Sequence, residues 1–171
     1  MGKMAAESVD CKITTRQMLH MNNRYFYCYS LPLEVGSIIR PGNWGRILRT
    51  YTPQSPQNPW LLTRELAFEL ARIKNYPNKP SRLDCLFICL NEGDLNEFRT
   101  ASNRPFDLMY EVELVNPDAP SHIGDWTIAN IQSTDNISIF EDRANAYWQD
   151  NNAIKQEFLT LSPIRITRII L

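Results

Sequence analysis

The chain has 171 residues, 43% hydrophobic and 22% charged, an ordinary soluble-domain balance that lets one domain bury roughly 70% of the surface its unfolded chain exposes. That balance excludes a disordered tail, a collagen and a disulfide-stapled miniprotein. Eighteen Lys+Arg against nineteen Asp+Glu give a net charge of -1, so a whole-chain attraction to nucleic acid or anionic membrane is missing.

Residues 1–22 mix charge, polar residues and methionines without a sustained period, which predicts an N-terminal extension or short helix before a domain over 23–171. Tyr25-Phe26-Tyr27-Cys28-Tyr29 is dense in strand-favouring aromatics and reads as the first strand. Ser37 to Arg40 reads as a short extended piece, Pro41-Gly42-Asn43-Trp44-Gly45 as a loop, and Thr52 to Pro59, with three prolines, as a second loop. A helix opens at Pro59 or Trp60 with Asn58 as its cap, and Leu62, Leu66, Leu70 and Ile73 fall along one of its faces. Leu83 to Leu90 reads as a buried strand, and Asn91 to Ala101 as a helix carrying Leu95 and Phe98 inward. Tyr110, Val112 and Leu114 alternate with Glu111 and Glu113, the pattern of a half-buried strand. Asn116 to Gly124 is a turn-rich loop, Ile139 to Trp148 a third helix, and Pro163 to Ile170 a closing strand. Strands and helices do not alternate regularly, so the fold class predicted is α+β.

No run of 18 apolar residues is present, and the first residues lack a secretory core. Cys11, Cys28, Cys85 and Cys89 form no C-x-x-C pair, and with only His20 and His122 beside them the expectation is reduced thiols in a cytosol, with no metal. Export by a route that reads other signals stays compatible with this.

Nucleophile-elbow, P-loop, zincin and dinucleotide glycine signatures are absent. What remains is polar residues at element ends. Thirteen arginines against five lysines point to anion recognition by planar forks or to plain compositional bias. Arg46 follows the glycine loop, Ser81-Arg82 precede a buried strand, and Asp125 follows a loop. The arginines suit a diphosphate grip, or surface pairing with Glu111, Glu113 or Asp84; Asp125 suits chemistry or a turn cap.

The blocks Tyr25-Phe26-Tyr27, Leu33-Glu34-Val35-Gly36-Ser37-Ile38-Ile39, Tyr110-Glu111-Val112-Glu113 and Ser162-Pro163-Ile164-Arg165-Ile166 resemble, in that order, the rifampin ADP-ribosyltransferase branch of the mono-ADP-ribosyltransferase fold. A closer likeness is to an uncharacterised bacterial domain family carrying Pro-Gly-Asn-Trp-Gly-Arg, Pro-Ser-Arg-Leu and Tyr-Glu-Val-Glu-Leu blocks. Together these span about residues 24–170. The resemblance implies a split mixed β-sheet sandwich with flanking helices, binding NAD as substrate with its diphosphate near arginine. Arg46, Ser81 and Arg82 would then line the dinucleotide site. The family's catalytic histidine position falls on Tyr27, its tyrosine position on Phe87 and its acid near Asp125. Tyr27 would donate to a ribose hydroxyl, Phe87 would stack on nicotinamide, and Asp125 would stabilise the oxocarbenium-like ribose. The acceptor would be a protein side chain, a small molecule or water.

The replaced histidine leaves a second reading open, an inert relative that binds a protein partner through Trp44, Trp60 and Trp126. An RNA-end phosphotransferase is a third, and the near-zero charge argues against its nucleic-acid partner.

Overall fold

The computed structural model describes residues 24–52, 59–130, 134–149 and 153–170. The N-terminal extension read over 1–22, Cys11, His20, the Asn58 cap and residues 53–58 of the proline-rich loop lie outside the described residues. The elements in chain order are β1 (Tyr25–Tyr29), β2 (Ile38–Ile39), α1 (Asn43–Leu48), α2 (Pro59–Asn75), β3 (Leu86–Ile88), α3 (Glu92–Ala101), β4 (Leu108–Leu114), β5 (Ser121–Asp125), α4 (Ile137–Trp148), β6 (Gln156–Thr160) and β7 (Ile164–Ile170).

Two sheets result, one ordered β1-β4-β7-β2 and one ordered β3-β6-β5. The α+β class holds, with one change: every ladder among the described residues is antiparallel, not mixed. Tyr25, Tyr110, Val112, Ile164 and Ile166 of the first sheet share a core with Leu86, Ile88 and Phe158 of the second. The opposite face of the second sheet packs Cys85 and Leu159 against Phe68 of α2 and Ala144, Tyr147 and Trp148 of α4. Each large apolar side chain buried this way contributes roughly 1.5–3 kcal/mol. Helix α3 covers β1 and β4 from the other side through Leu95, Cys28 and Met109.

Five readings of the sequence change. The Pro41–Gly45 stretch is not all loop, because α1 begins at Asn43 after Gly42, whose φ of 90° suits only glycine well. Gly45 lies inside α1 and donates its N–H to the Leu83 carbonyl at 3.1 Å. A strand, β5, occupies part of the expected Asn116–Gly124 loop; its Ser-His-Ile-Gly-Asp sequence carries little strand propensity, and pairing with β6 makes it a strand. Strand β6 itself has no alternation to read, since it is the centre of its sheet and buried on both faces.

The fourth change concerns α2. Leu66, Leu70 and Ile73 are 61%, 66% and 58% exposed, while Glu65, Phe68 and Ala71 are buried. The helix therefore turns its inner face, not its leucine stripe, toward α4. Phe68 meets Tyr147 edge to face at 5.0 Å, and the Phe68 carbonyl accepts the Trp148 indole N–H at 2.8 Å. The expected strand over Leu83–Leu90 is also shorter, and β7 is bulged opposite Glu111 and Val112, which leaves Arg168 on the exposed side.

A Cβ at residue 45 would lie 2.3 Å from the Leu83 carbonyl oxygen, a backbone atom with no freedom to retreat. Gly45→Ala is expected to lower stability by about 1–3 kcal/mol, seen as a lower thermal midpoint; an unchanged midpoint would show that α1 does not dock on this turn.

Candidate functional site

The two sheets meet at a single rung. Phe26 and Cys89 exchange both backbone hydrogen bonds, at 2.9 and 2.8 Å, and from there β1 and β3 diverge. Antiparallel alternation turns the N–H and C=O of residues two away to the same side. Cys28 and Phe87 therefore point their backbone groups at each other's strand without a partner rung, and outside their ladders with β4 and β6 neither makes a backbone bond among the described residues. A cavity of about 550 Å³ opens beside this divergence. Tyr27, Trp44, Phe87, Phe98 and Trp126 form aromatic walls, and Arg64, Arg82, Arg104 and Glu157 supply the charge.

Glu157 is the one acidic residue lining this cavity among the described residues. It belongs to a buried cluster assembled from four separate pieces of chain. Arg82 donates through Nε to Glu65 Oε2 at 3.0 Å and through Nη1 to Glu157 Oε1 at 2.7 Å and to the Tyr147 hydroxyl. Tyr147 in turn donates to Glu157 Oε1 at 2.7 Å. The Arg82 guanidinium also lies over the rings of Tyr147 at 4.7 Å and Phe87 at 4.8 Å. Burial opposes the Arg82 charge, yet Glu65, Tyr147 and Glu157 outweigh it and hold the guanidinium firmly protonated. Burial likewise raises Glu65, and Arg82 with Arg64 overcomes it, leaving that carboxyl below its ordinary range. Glu157 Oε2 takes no hydrogen bond among the described residues.

The cavity collects three of the predicted residues: Tyr27, Phe87 and Arg82. Burial, with Tyr29 beside it, pushes the Tyr27 phenol up to about 12, so it stays protonated. The other three lie off the lining. Arg46 holds the Asn43 side chain at 3.2 and 2.7 Å, and Ser81 donates to Glu69 Oε2 at 2.8 Å. Asp125 Oδ1 accepts from the Thr127 N–H and hydroxyl at 2.9 and 2.6 Å, and its Oδ2 accepts from the N–H groups of Ile154 and Lys155 at 3.0 and 3.3 Å. Burial raises this carboxyl, but those bonds outweigh it and leave it lowered. Asp125 thus fastens the turn that carries Trp126 and the approach to β6.

Sequence reading passed over Glu157, Glu65 and Arg104. The available signal was a lone carboxylate in an otherwise buried run, Glu157 before Phe158-Leu159, and a glutamate on the side of α2 that also carries Phe68. A second hollow of about 540 Å³, between α3 and the ends of β4 and β7, contains none of the predicted residues. No helix among the described residues is long and apolar enough to cross a membrane.

Arg82→Met strands Glu65 and Glu157 without their shared partner, and is expected to cost about 3–5 kcal/mol at pH 7 in chemical denaturation. Glu65 has a lowered folded-state pKa, so its stabilisation is present above the unfolded value of about 4.3 and is lost as pH falls through the folded value. The gap between wild type and variant should therefore narrow in acid; a gap independent of pH would show that the cluster does not work by charge. Asp125→Asn, whose amide has one acceptor oxygen and so leaves either the Thr127 donors or those of Ile154 and Lys155 facing an NH2 group, is expected to cost about 1–3 kcal/mol, and an unchanged midpoint would remove Asp125 from its fastening role.

Residues 43–171 match the DUF2441 family, described as a protein of unknown function. No curated protein matches the chain. The matched stretch takes in all of the second sheet, the helices, and β4 and β7 of the first, and the chain belongs to the DUF2441 family.

Proposed function

We propose that the chain uses NAD in the manner of an ADP-ribosyltransferase, with the cavity between its diverging sheets as the site. The observation that carries this reading is the one missing rung between Cys28 and Phe87, beside a cavity-lining carboxylate. A flat heteroaromatic ring bearing a carboxamide has one donor and one acceptor to offer such an edge, and Phe87 supplies an apolar face. The resemblance over residues 24–170 points to the same substrate.

In this reading Glu157 takes the role that the sequence suggested for Asp125. Cleavage of the bond between ribose and nicotinamide sends its electron pair to nicotinamide and leaves positive charge on the sugar. A nearby carboxylate favours that state, most strongly when it is already fixed in place. Arg82 and Tyr147 fix Glu157 through Oε1 and leave Oε2 for the sugar. The acceptor's lone pair then forms the new bond at the same carbon, and its proton leaves to water. Tyr27, protonated, donates to a ribose hydroxyl.

Incubation with labelled NAD is expected to release nicotinamide, and Glu157→Gln to reduce release by about 10²-fold or more while keeping NAD binding. A specific observation favours a second reading: Tyr27 replaces the family histidine, and a phenol with a pKa of about 12 is a poor base at neutral pH. Binding of NAD without release by wild type would favour that inert, partner-binding relative. Absence of NAD binding would overturn both uses of the cavity.

A further inference from the structure

Two of the cavity's wall residues, Trp44 and Trp126, bury their indole Nε1 atoms without a hydrogen-bond partner. Such buried orphan donors destabilise the folded state and are scarce in native proteins. Two of them on one cavity call for an explanation. An indole N–H can only donate, so what it lacks is a lone pair. The ring nearest Trp126, Phe98, stands edge to face at 5.9 Å and has none to give.

The cations that the sequence offered for a diphosphate are occupied. Arg82 is bound to Glu65 and Glu157, and Arg46 to Asn43; on the lining, Arg64 is likewise bound to Glu65 and the Ala129 carbonyl. Arg104, also on the lining, forms an ion pair with Asp107 through Nη2 and makes no side-chain hydrogen bond among the described residues. It lies close enough to Tyr27 to act on its phenol. The cavity thus holds, in Arg104, a guanidinium answered only by Asp107 and, in the two indoles, neutral donors without a partner.

We propose that Trp44 and Trp126 donate their indole N–H groups to the diphosphate of the bound dinucleotide, with Arg104 as its counter-charge. This rests on the NAD reading above and assigns the part of the site that selects the diphosphate. Neutral donors suit this position. Arg64 already shares Glu65 with Arg82, and another guanidinium on this wall would add like charge, whereas an indole brings a donor without a charge and keeps the wall apolar. The arrangement also fits a chain with a net charge of -1, in which local donors replace a basic surface. The reach of the indoles to the ligand requires small side-chain adjustments of the kind common on binding.

Calorimetric titration of NAD, ADP-ribose and free nicotinamide into wild type, Trp44→Phe and Trp126→Phe tests the proposal. Phenylalanine keeps an aromatic ring and removes the N–H. Each variant is expected to bind NAD and ADP-ribose about three- to tenfold more weakly, with nicotinamide unchanged. NAD bound at wild-type affinity by both variants overturns the indole assignment and leaves the NAD reading standing. Equal weakening for nicotinamide overturns it too, since the rings would then be acting by packing alone. Failure of wild type to bind NAD overturns the NAD reading itself. Thermal midpoints of the variants, expected to match wild type, separate lost binding from lost folding.

Discussion

A single buried guanidinium holds the second half of this molecule together. Arg82 comes from the turn before β3, and its partners come from α2 (Glu65), α4 (Tyr147) and β6 (Glu157). A charge so buried is tolerated only when every side of it is answered. Two carboxylates, a hydroxyl and aromatic faces do that here, and in doing so they dictate which face of α2 turns inward. Glu65 must reach Arg82, Phe68 must reach Tyr147, and the leucines of the same helix are left outside. The cluster also fixes Glu157 in the cavity wall.

The α+β class, the aromatic first strand, the helices α3 and α4 and the alternating β4 were legible because each is a local pattern. Asn91 caps by accepting from the Asp94 N–H at 2.8 Å, and Phe140, Ala144, Tyr147 and Trp148 are the buried residues of α4. Strands β5 and β6 were not legible, since one has weak propensity and the other no exposed face. The inner face of α2 was illegible for a different reason. Hydrophobic spacing assumes that apolar residues are buried, and a buried ion pair reverses that assumption locally.

The candidate site shows the same division. Tyr27 and Phe87 were found from position within blocks, and both line the cavity. Arg82 was found for its charge, but that charge serves the protein's own carboxylates. Asp125 and Ser81 were found as polar residues at element ends, and their hydrogen bonds are spent on local structure. Glu157, Trp44, Trp126 and Arg104 converge on the cavity only through tertiary packing, from β6, α1, the turn after β5 and the segment after α3.

The divergence at the Phe26–Cys89 rung is what makes a cavity here at all, because continued pairing would merge the two sheets. Amide hydrogen exchange at Cys28 and Phe87, followed residue by residue with and without NAD, reads that feature itself. Both amides should exchange faster than those of Phe26 and Tyr27 in the free protein and become protected when NAD binds. Protection of both in the free protein, or exchange unaltered by saturating NAD, would contradict the reading of this edge as the ligand site.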